Sequence, residues 1–338
     1  MDERMERKRL SILRCLAHAP GALSSEEITE QLVGAGCDLS ERTVRLYLQR
    51  MDNEGLTRYV SKHGRVITPL GRHELTQARV FDRVGFLSAR IDQLTYGMTF
   101  DLAKRTGRIV VNLSLVPRSV LKEAWSLMKR VYDAGFSMGK LVTLFGPGEQ
   151  IGEVVIPNDC VGVGTVCSVT LNGILLRHGI PVASKFGGLL EIQRGKPTRF
   201  VAVISYNGTT LDPLEVFIRS GMTDYERATR TGAGRIGASF RELPAASRDR
   251  VVALSRDLKN VGLDCIMELG LPGQPLREIP VDQGSMGAIV IGGLNPIAIV
   301  EEHGIKVVSK ALSGLIEFSR FFWYTEMPDH IAKLPRQV

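Results

Sequence analysis

The chain has 338 residues, of which 44% are hydrophobic and 23% charged, and its formal net charge is +7. These values are ordinary for a globular protein of two or three domains, and so mild a positive charge permits a polyanionic partner without requiring one. No positively charged leader precedes an apolar stretch, and no apolar run approaches the roughly 20 residues of a membrane span. We therefore expect a cytoplasmic protein without a membrane partner.

The cysteine content predicts neither a disulfide framework nor a metal centre. No pair of cysteines has the C-x-x-C spacing of a structural zinc site, and an odd, scattered set fits reduced thiols. The five cysteines are Cys15, Cys37, Cys160, Cys167 and Cys265. We expect no bound metal and no resident cofactor.

Three helices are predicted before residue 56. The first runs from about Glu3 to Ala19 and ends at a Pro-Gly pair. The second opens at Ser24, where Glu27 follows three residues later and completes a capping box. The third is predicted over residues 40–54.

Helical geometry divides this third segment into an apolar face and a basic face. Val44, Leu48 and Met51 fall together and are expected to pack on the first two helices. Arginine and glutamine on the opposite face can form bidentate bonds to guanine and adenine, and all of these side chains can contact phosphate. The third helix is therefore a candidate recognition helix.

A basic hairpin follows, with strands predicted over residues 57–60 and 65–68 around a polar turn. Helices followed by such a hairpin indicate a winged helix-turn-helix over residues 1–75 that binds double-stranded DNA. A solvated basic face, or a winged helix used for protein contacts, is the alternative. The predicted DNA contacts are Arg42, Thr43, Arg45, Gln49, Arg50, Lys62 and Arg65.

From residue 81 onward the chain repeats itself with a shift of roughly 125 residues. Gly107-Arg-Ile109 returns as Gly234-Arg-Ile236, and the segment from His178 to Lys185 returns from His303 to Lys310. The fold class is therefore α+β: a winged helix followed by a duplicated two-layer α/β sandwich with pseudo-twofold related halves, at residues 80–220 and 221–325. Facing halves predict a cleft for a small ligand.

Each half is predicted to contain two helices separated by β-rich segments. The first helix lies near residues 119–134 and 245–261, and the second ends at His178 or His303, each before a glycine. That position favours helix capping for both histidines. Residues 200–205 and 214–218 are predicted to be strands that belong to the first half or bridge the two.

The glycine-rich stretch from Cys160 to Asn172 is the first candidate ligand site. Flexible glycines before a helix can bring backbone N–H groups to an anion, although the pattern matches neither a dinucleotide fingerprint nor a P-loop. The alternative is a tight turn whose glycines serve only the backbone. Cys167 fits a small buried residue better than a nucleophile, while Lys185 and its repeat equivalent Lys310 could each pair with a carboxylate or be structural.

Catalytic motifs are not evident. The sequence has no paired metal-ligand spacing, no nucleophile elbow and no distinctive carboxylate pair, which favours a sensor over an enzyme. A metabolic enzyme with an autoregulatory winged helix, and an adaptor protein, stay open as alternatives.

Two parts of the chain resemble known families. The run from Leu39 to Leu48 is similar to winged-helix modules at the head of many bacterial and archaeal regulators. The regulatory part resembles that of the NrpR nitrogen repressors, best known from methanogenic archaea. The matching segments are residues 111–116, 162–173, 179–182 and 206–217.

This resemblance implies a homodimeric repressor of nitrogen-assimilation genes that binds a palindromic operator and is released by 2-oxoglutarate. It places the contacts of this dicarboxylate effector at Gly164, Thr165, Cys167 and Ser168. We add Lys185 as a further candidate contact because its positive charge can pair with a carboxylate. Some family members carry two regulatory domains in tandem, whereas this chain has one, so its target genes and effector could differ.

Overall fold

The computed structural model describes residues 3–34, 37, 39–60, 64–72, 74–75 and 86–334. The chain divides into two compact units, residues 1–84 and residues 85–338. Within the described residues, no helix is both long enough and apolar enough to cross a membrane.

The first unit is the predicted winged helix. Its elements are α1 (Glu3–His18), α2 (Ser25–Gly34), α3 (Glu41–Asn53), β1 (Thr57–Tyr59) and β2 (Arg65–Ile67). The two strands pair antiparallel with Arg58 opposite Val66, and Leu23 adds a bridge to Arg65. The capping box is confirmed: the Ser24 N–H donates to Glu27 Oε2 at 2.7 Å, and the Glu27 N–H donates to Ser24 Oγ at 3.2 Å.

The core of this unit lies where the three helices meet. Val44, Leu48 and Met51 of α3 are buried, as their spacing predicted, against apolar residues of α1 and α2. Burial of one face fixes which side of α3 is left in solvent.

The second unit begins with α4 (Phe86–Gly97) and contains two five-stranded antiparallel sheets. Its other helices are α5 (Leu121–Asp133), α6 (Val169–Arg177), α7 (Pro213–Arg219), α8 (Tyr225–Thr231), α9 (Arg248–Asn260), α10 (Asn295–Glu302) and α11 (Met327–Ala332). Its strands are β3 (Arg108–Pro117), β4 (Leu141–Phe145), β5 (Gln150–Ile151), β6 (Val154–Val155), β7 (Cys160–Val166), β8 (Ala183–Gln193), β9 (Lys196–Ser205), β10 (Gly234–Pro244), β11 (Ile266–Leu269), β12 (Ser285–Ile291), β13 (Val308–Glu317) and β14 (Phe322–Trp323).

The two sheets have corresponding strand orders. One sheet runs β11-β12-β10-β8-β9 and the other β14-β4-β7-β3-β13, so that β11-β12-β10-β8 corresponds to β4-β7-β3-β13, and β9 and β14 are added at the edges. Strands pair across the two sequence copies: β8 of the first copy lies beside β10 of the second, and β13 of the second copy lies beside β3 of the first. The predicted boundary at residue 220 therefore divides the repeat in the sequence but not the fold, because each sheet uses strands from both copies.

Two sequence predictions about local structure are wrong. Residues 214–218 form part of helix α7, not a strand, because Asp212 caps the backbone N–H groups of Leu214 and Glu215 and Pro213 occupies the first turn. The glycine-rich residues 160–166, for which the sequence suggested an anion-binding segment or a tight turn, form strand β7 in the middle of a sheet.

Candidate DNA-binding surface and effector site

The solvent face of α3 carries most of the predicted DNA contacts. Ser40 caps the helix by accepting a hydrogen bond from the Thr43 N–H at 3.3 Å, and its hydroxyl also meets the Thr43 hydroxyl at 2.9 Å. Opposite the buried face, four polar side chains are exposed and Thr43 is partly so. The exposed four are Arg42, Arg45, Gln49 and Arg50. The helix therefore offers one contiguous cationic and hydrogen-bonding surface.

Arg45 is oriented by its neighbours. Its Nη2 lies 2.6 Å from Glu41 Oε1, and its Nε donates to Ser25 Oγ at 3.1 Å. The pair is exposed, and such surface ion pairs contribute little to stability. Arg45 can exchange Glu41 for a phosphate or a base at small cost.

Arg65 is held in a different way. Its Nε lies 2.7 Å from Asp52 Oδ2, its side chain is only 21% exposed, and its guanidinium lies 5.3 Å from the centre of the Tyr59 ring. Asp52 also accepts a hydrogen bond from Thr57 Oγ1 at 2.6 Å. This geometry favours Arg65 as the residue that fixes the hairpin to α3. Lys62 lies outside the described residues.

Tyr59 and Leu46 were not among the predicted contacts, yet both are well exposed beside the basic residues. Leu46 could have been identified from the sequence, because it is a large apolar side chain on the polar face of α3. Such side chains contact thymine methyl groups in protein–DNA complexes.

In the regulatory unit, Gly164 lies at the centre of strand β7. A Cβ there would lie 2.5 Å from Thr143 Cγ2 and 2.8 Å from Phe145 Cε2, so the site has no room for a side chain. Close packing therefore explains why residue 164 is a glycine. Thr165 is buried opposite Asn112, and its hydroxyl has no hydrogen-bond partner among the described residues.

Cys167 and Ser168 form the turn between β7 and α6, and both are buried. Burial, with a smaller contribution from Asp212, raises the pKa of the Cys167 thiol to about 12. The thiol is therefore neutral and a poor nucleophile at physiological pH.

Arg241 on β10 is the feature that sequence reasoning missed. Its side chain is buried at 2% exposure, Nη2 donates to Ser168 Oγ at 3.0 Å, and Nη1 donates to Asn172 Oδ1. Asn172 in turn donates to Ser184 Oγ at 3.0 Å. The available signal was the charged pair Arg241-Glu242 in a strand whose other residues from Ile236 to Leu243 are uncharged.

We call Cys167, Ser168, Asn172, Tyr206 and Arg241 the Arg241 cluster. Asp212 and Arg241 both act electrostatically on Cys167 and on the buried Tyr206, whose pKa is raised first by burial. Asp212 lines a cavity of about 220 Å³, and no residue of the cluster is among the residues that line it. Its other lining residues include Arg90, Glu153, Glu215, Lys310 and Leu312.

Lys185 is not part of this cluster. Its Nζ lies 3.2 Å from Glu242 Oε2 and 2.9 Å from Asp282 Oδ2, so two carboxylates already balance its charge. The repeat-related Lys310 lines the 220 Å³ cavity and lies 3.2 Å from Glu153 Oε2.

The two repeat-related histidines follow the last residues of α6 and α10, as predicted. His303 Nδ1 lies 2.8 Å from the carbonyl oxygen of Ile299, which is a capping contact. His178 Nδ1 lies 3.3 Å from Arg250 Nη2, and burial followed by that arginine lowers its pKa. Within the part of the chain that the structure describes, no three His, Cys, Asp or Glu side chains are grouped to hold a metal ion.

Comparison with known proteins agrees with this architecture. The model of the ribonuclease R winged-helix domain matches residues 10–75, so the protein is of the winged-helix class joined to a duplicated regulatory unit. The model of the NrpR regulatory domains NRD1 and 2 matches residues 84–322. The chain belongs to the NrpR family.

Three relatives carry the name global nitrogen regulator. The protein from Methanosarcina mazei, NrpRI, is 33% identical over 94% of this chain and 98% of its own length. Those named NrpR from Methanocaldococcus jannaschii and Methanococcus maripaludis are 32% and 26% identical over 68% and 92% of this chain, which spans 38% and 54% of their lengths.

A solved structure has the same regulatory fold. The crystal structure of a nitrogen repressor-like protein from Methanococcus jannaschii is 30% identical and aligns with a TM-score of 0.59. It covers 70% of this chain and 97% of its own.

Proposed function

We propose that this protein is a transcriptional regulator of nitrogen metabolism that binds operator DNA as a homodimer. It acts as a repressor, without enzymatic activity of its own, and a small dicarboxylate, 2-oxoglutarate, loosens its hold on the operator. The observation that carries the proposal is the exposed face of α3, where Arg42, Arg45, Gln49 and Arg50 lie opposite a buried apolar face. The names of the relatives support the nitrogen response.

The physical basis of DNA binding is the concentration of cationic donors on one helix that can enter a major groove. Arginine supplies paired donors for guanine and for phosphate, and glutamine supplies a donor and an acceptor for adenine. The ion pair between Asp52 and Arg65 holds the hairpin against the end of α3, so the hairpin can contact the phosphates that flank the groove.

The effector is proposed to act through the regulatory unit. A homodimer places two recognition helices on a palindromic site, and binding requires their separation to match one turn of DNA, roughly 34 Å, or a multiple of it. A ligand that binds one geometry of the dimer better than another shifts the population toward that geometry. Among the predicted effector contacts, Ser168 accepts a hydrogen bond from the buried Arg241. Cys167 accepts one from the backbone of Leu312, which lines the 220 Å³ cavity.

The test compares two double variants of the full chain on duplex fragments selected from the source genome. Arg42→Ala/Arg45→Ala should lower specific affinity by at least about 30-fold, since each arginine contact contributes about 1–3 kcal/mol. Arg230→Ala/Arg256→Ala removes the same charge from exposed positions of the regulatory unit and should leave affinity unchanged. Equal affinities for both double variants would contradict the assignment of α3.

The effector is tested by repeating the wild-type titration with millimolar 2-oxoglutarate. We expect the operator dissociation constant to rise, and calorimetry to show saturable heat with the free protein. An unchanged dissociation constant together with no heat would contradict 2-oxoglutarate as the effector while leaving DNA binding intact.

A further inference from the structure

A second cavity of the regulatory unit, of about 340 Å³, lies between helix α9 and the turn at residues 101–106. Its buried and half-buried lining includes the apolar side chains of Leu102 and Leu254. The exposed residues that line it include Arg105, His178 and Arg250. This volume is typical of small-molecule sites, which measure roughly 300–1,000 Å³ and combine an apolar wall with a few polar groups. None of the predicted effector contacts lines this cavity.

The two arginines of this cavity lack carboxylate partners. In the part of the chain that the structure describes, no carboxylate lies within ion-pair distance of Arg105 or Arg250. Arg250 Nη2 instead lies 3.3 Å from Nδ1 of His178. Because an arginine can only donate, Nδ1 accepts and the imidazole is neutral. Asp257 is the one carboxylate among the described lining residues, so positive charge is in excess there.

The other sequence copy has a carboxylate at the related place. His303 is the repeat equivalent of His178, and each follows the last residue of a helix. Glu226 Oε2 lies 3.2 Å from Nε2 of His303 and 2.8 Å from Nη2 of Arg130. Arg130 belongs to α5, the equivalent of α9, although its own counterpart is Asp257 and the arginine of the cavity lies two turns earlier. A histidine and an arginine thus share an anion in one copy and face each other without one in the other.

Arg105 has a strained backbone conformation. Its φ is 55°, in the left-handed region that favours glycine. The turn is closed by backbone hydrogen bonds between Asp101 and Thr106, at 2.8 and 3.4 Å, and the Lys104 N–H donates to Asp101 Oδ1 at 3.0 Å. A glycine would adopt this conformation without strain, so the turn itself gives no reason for an arginine. What the arginine adds is a cationic side chain that lines the cavity.

We propose that this cavity binds a small phosphorylated metabolite, with its phosphate group between Arg105 and Arg250. A phosphate monoester carries up to two negative charges and three terminal oxygens, so it can pair with two guanidinium groups at once, whereas one carboxylate balances only one of them. The rest of the ligand packs against the apolar wall. Asp257 and Asn260, which also line the cavity, can bind its hydroxyl groups.

This ligand differs from the proposed dicarboxylate effector in chemistry and in site. The inference therefore depends neither on 2-oxoglutarate binding nor on DNA binding, and it can fail or succeed independently of both.

Calorimetry of the full-length protein in phosphate-free buffer is the test, with adenosine monophosphate and ribose 5-phosphate as separate probes. Wild type should bind at least one of them saturably, with one molecule per chain. Arg250→Gln should weaken this binding at least about 10-fold, which corresponds to about 1.4 kcal/mol. Arg256→Gln is the matched control, because Arg256 lies on the same helix, is exposed and does not line the cavity. It should bind as wild type does.

Adenosine tests whether the phosphate group is what the cavity recognises. It keeps the sugar and the base of adenosine monophosphate and lacks the charge that the two arginines would bind. We expect no saturable heat from adenosine under the same conditions.

Arg105→Gly gives an independent readout, because it separates ligand binding from folding. Glycine relieves the left-handed strain, so the variant without ligand should melt at the same temperature as wild type or higher. Its affinity for the phosphate ester should nevertheless fall at least about 10-fold. An arginine with a purely structural role would instead lower the melting temperature when it is replaced.

Three results would overturn the proposal. These are no saturable heat from either phosphate ester at millimolar concentration, wild-type affinity in Arg250→Gln or Arg105→Gly, or equal binding of adenosine and adenosine monophosphate. Operator binding and 2-oxoglutarate calorimetry on the same samples separate these outcomes from failure of the regulator, because neither variant changes α3 or the predicted effector contacts.

Discussion

Asp52, in the last turn of α3, accepts hydrogen bonds from Arg65 Nε at 2.7 Å and from Thr57 Oγ1 at 2.6 Å. One carboxylate thus joins α3 to both strands of the hairpin. Because the pair is partly buried, with side-chain exposures of 21% for Arg65 and 24% for Asp52, it is less screened by solvent than a surface pair. The hairpin is therefore held in a fixed position relative to α3.

Replacing Asp52 by Asn should loosen the hairpin. The asparagine lacks the charge that holds Arg65, and loss of a partly buried charged hydrogen bond costs about 1–3 kcal/mol. Hydrogen exchange should show amides of residues 57–59 and 65–67 exchanging about 5- to 160-fold faster than in wild type. Glu30→Gln, an exposed change on α2, is the control. Equal protection in the two variants would contradict this role of Asp52.

Gly164→Ala should destabilise the regulatory unit. The added methyl would lie 2.5 Å from Thr143 Cγ2 inside a packed sheet, and such overpacking costs about 1–3 kcal/mol. Gly208→Ala is the control, since a Cβ at Gly208 meets nothing within 4 Å. Urea unfolding followed by circular dichroism checks the difference. Two variants of equal stability would mean that the glycine is not required for packing.

Lys185→Met should be more damaging than Lys310→Met, although the two positions are related by the repeat. Lys185 balances Glu242, which is 7% exposed, whereas Lys310 faces Glu153, which is 90% exposed. We expect a loss of about 1 kcal/mol for the first and no measurable loss for the second. Chemical denaturation of both variants provides the comparison, and the reverse order would contradict it.

Asp212 should make stability depend on pH. Burial, and then the neighbouring Glu215, raise the pKa of Asp212 from 3.8 to about 7, against the opposing effect of the backbone N–H groups that it caps. The folded state thus holds this proton where the unfolded state has lost it, so the resulting stabilisation is complete below pH 3.8 and is lost as pH rises through about 7.

Asp212→Asn imitates the protonated carboxyl and keeps the helix cap. The melting temperature of wild type should therefore fall relative to that of the variant between pH 3.8 and about 7, and stay parallel to it at higher pH. Calorimetric scans of both proteins across this range give the difference. Parallel curves would show that Asp212 titrates normally in the folded state.

Local signals explain which parts of the fold could be predicted. The Ser24–Glu27 capping box and the buried stripe of α3 depend on residues three or four apart, and both are present as predicted. The run at 214–218 was misread because a short apolar segment fits a strand or a buried helix equally well, and the Asp212–Pro213 start decides the matter.

Long-range pairing explains the rest. The exchange of β8 and β13 between sheets joins residues more than 40 positions apart, as in the pairing of Ser184 with Arg241. The hydrophobic periodicity of a single segment cannot predict such pairing. The glycines of β7 were predicted to serve a turn or an anion. They are needed instead because side chains of the neighbouring strands leave no room for a Cβ, and the sequence does not show which strands are neighbours. Arg241 was missed for the same reason: it is surrounded by Ser168, by Asn172 of α6 and by the strands beside β10, which are distant from it in the sequence.

The most direct test of the account is the salt dependence of the dissociation constant of the full-length protein for its selected operator duplex. If α3 and the hairpin lie against DNA with about six or more phosphate contacts, affinity should fall by about 1,000-fold or more between 50 and 200 mM salt. A duplex of scrambled sequence should bind far more weakly throughout. If the protein binds no duplex in preference to any other, even at the lowest salt, the assignment of residues 1–84 as a DNA-binding unit is contradicted.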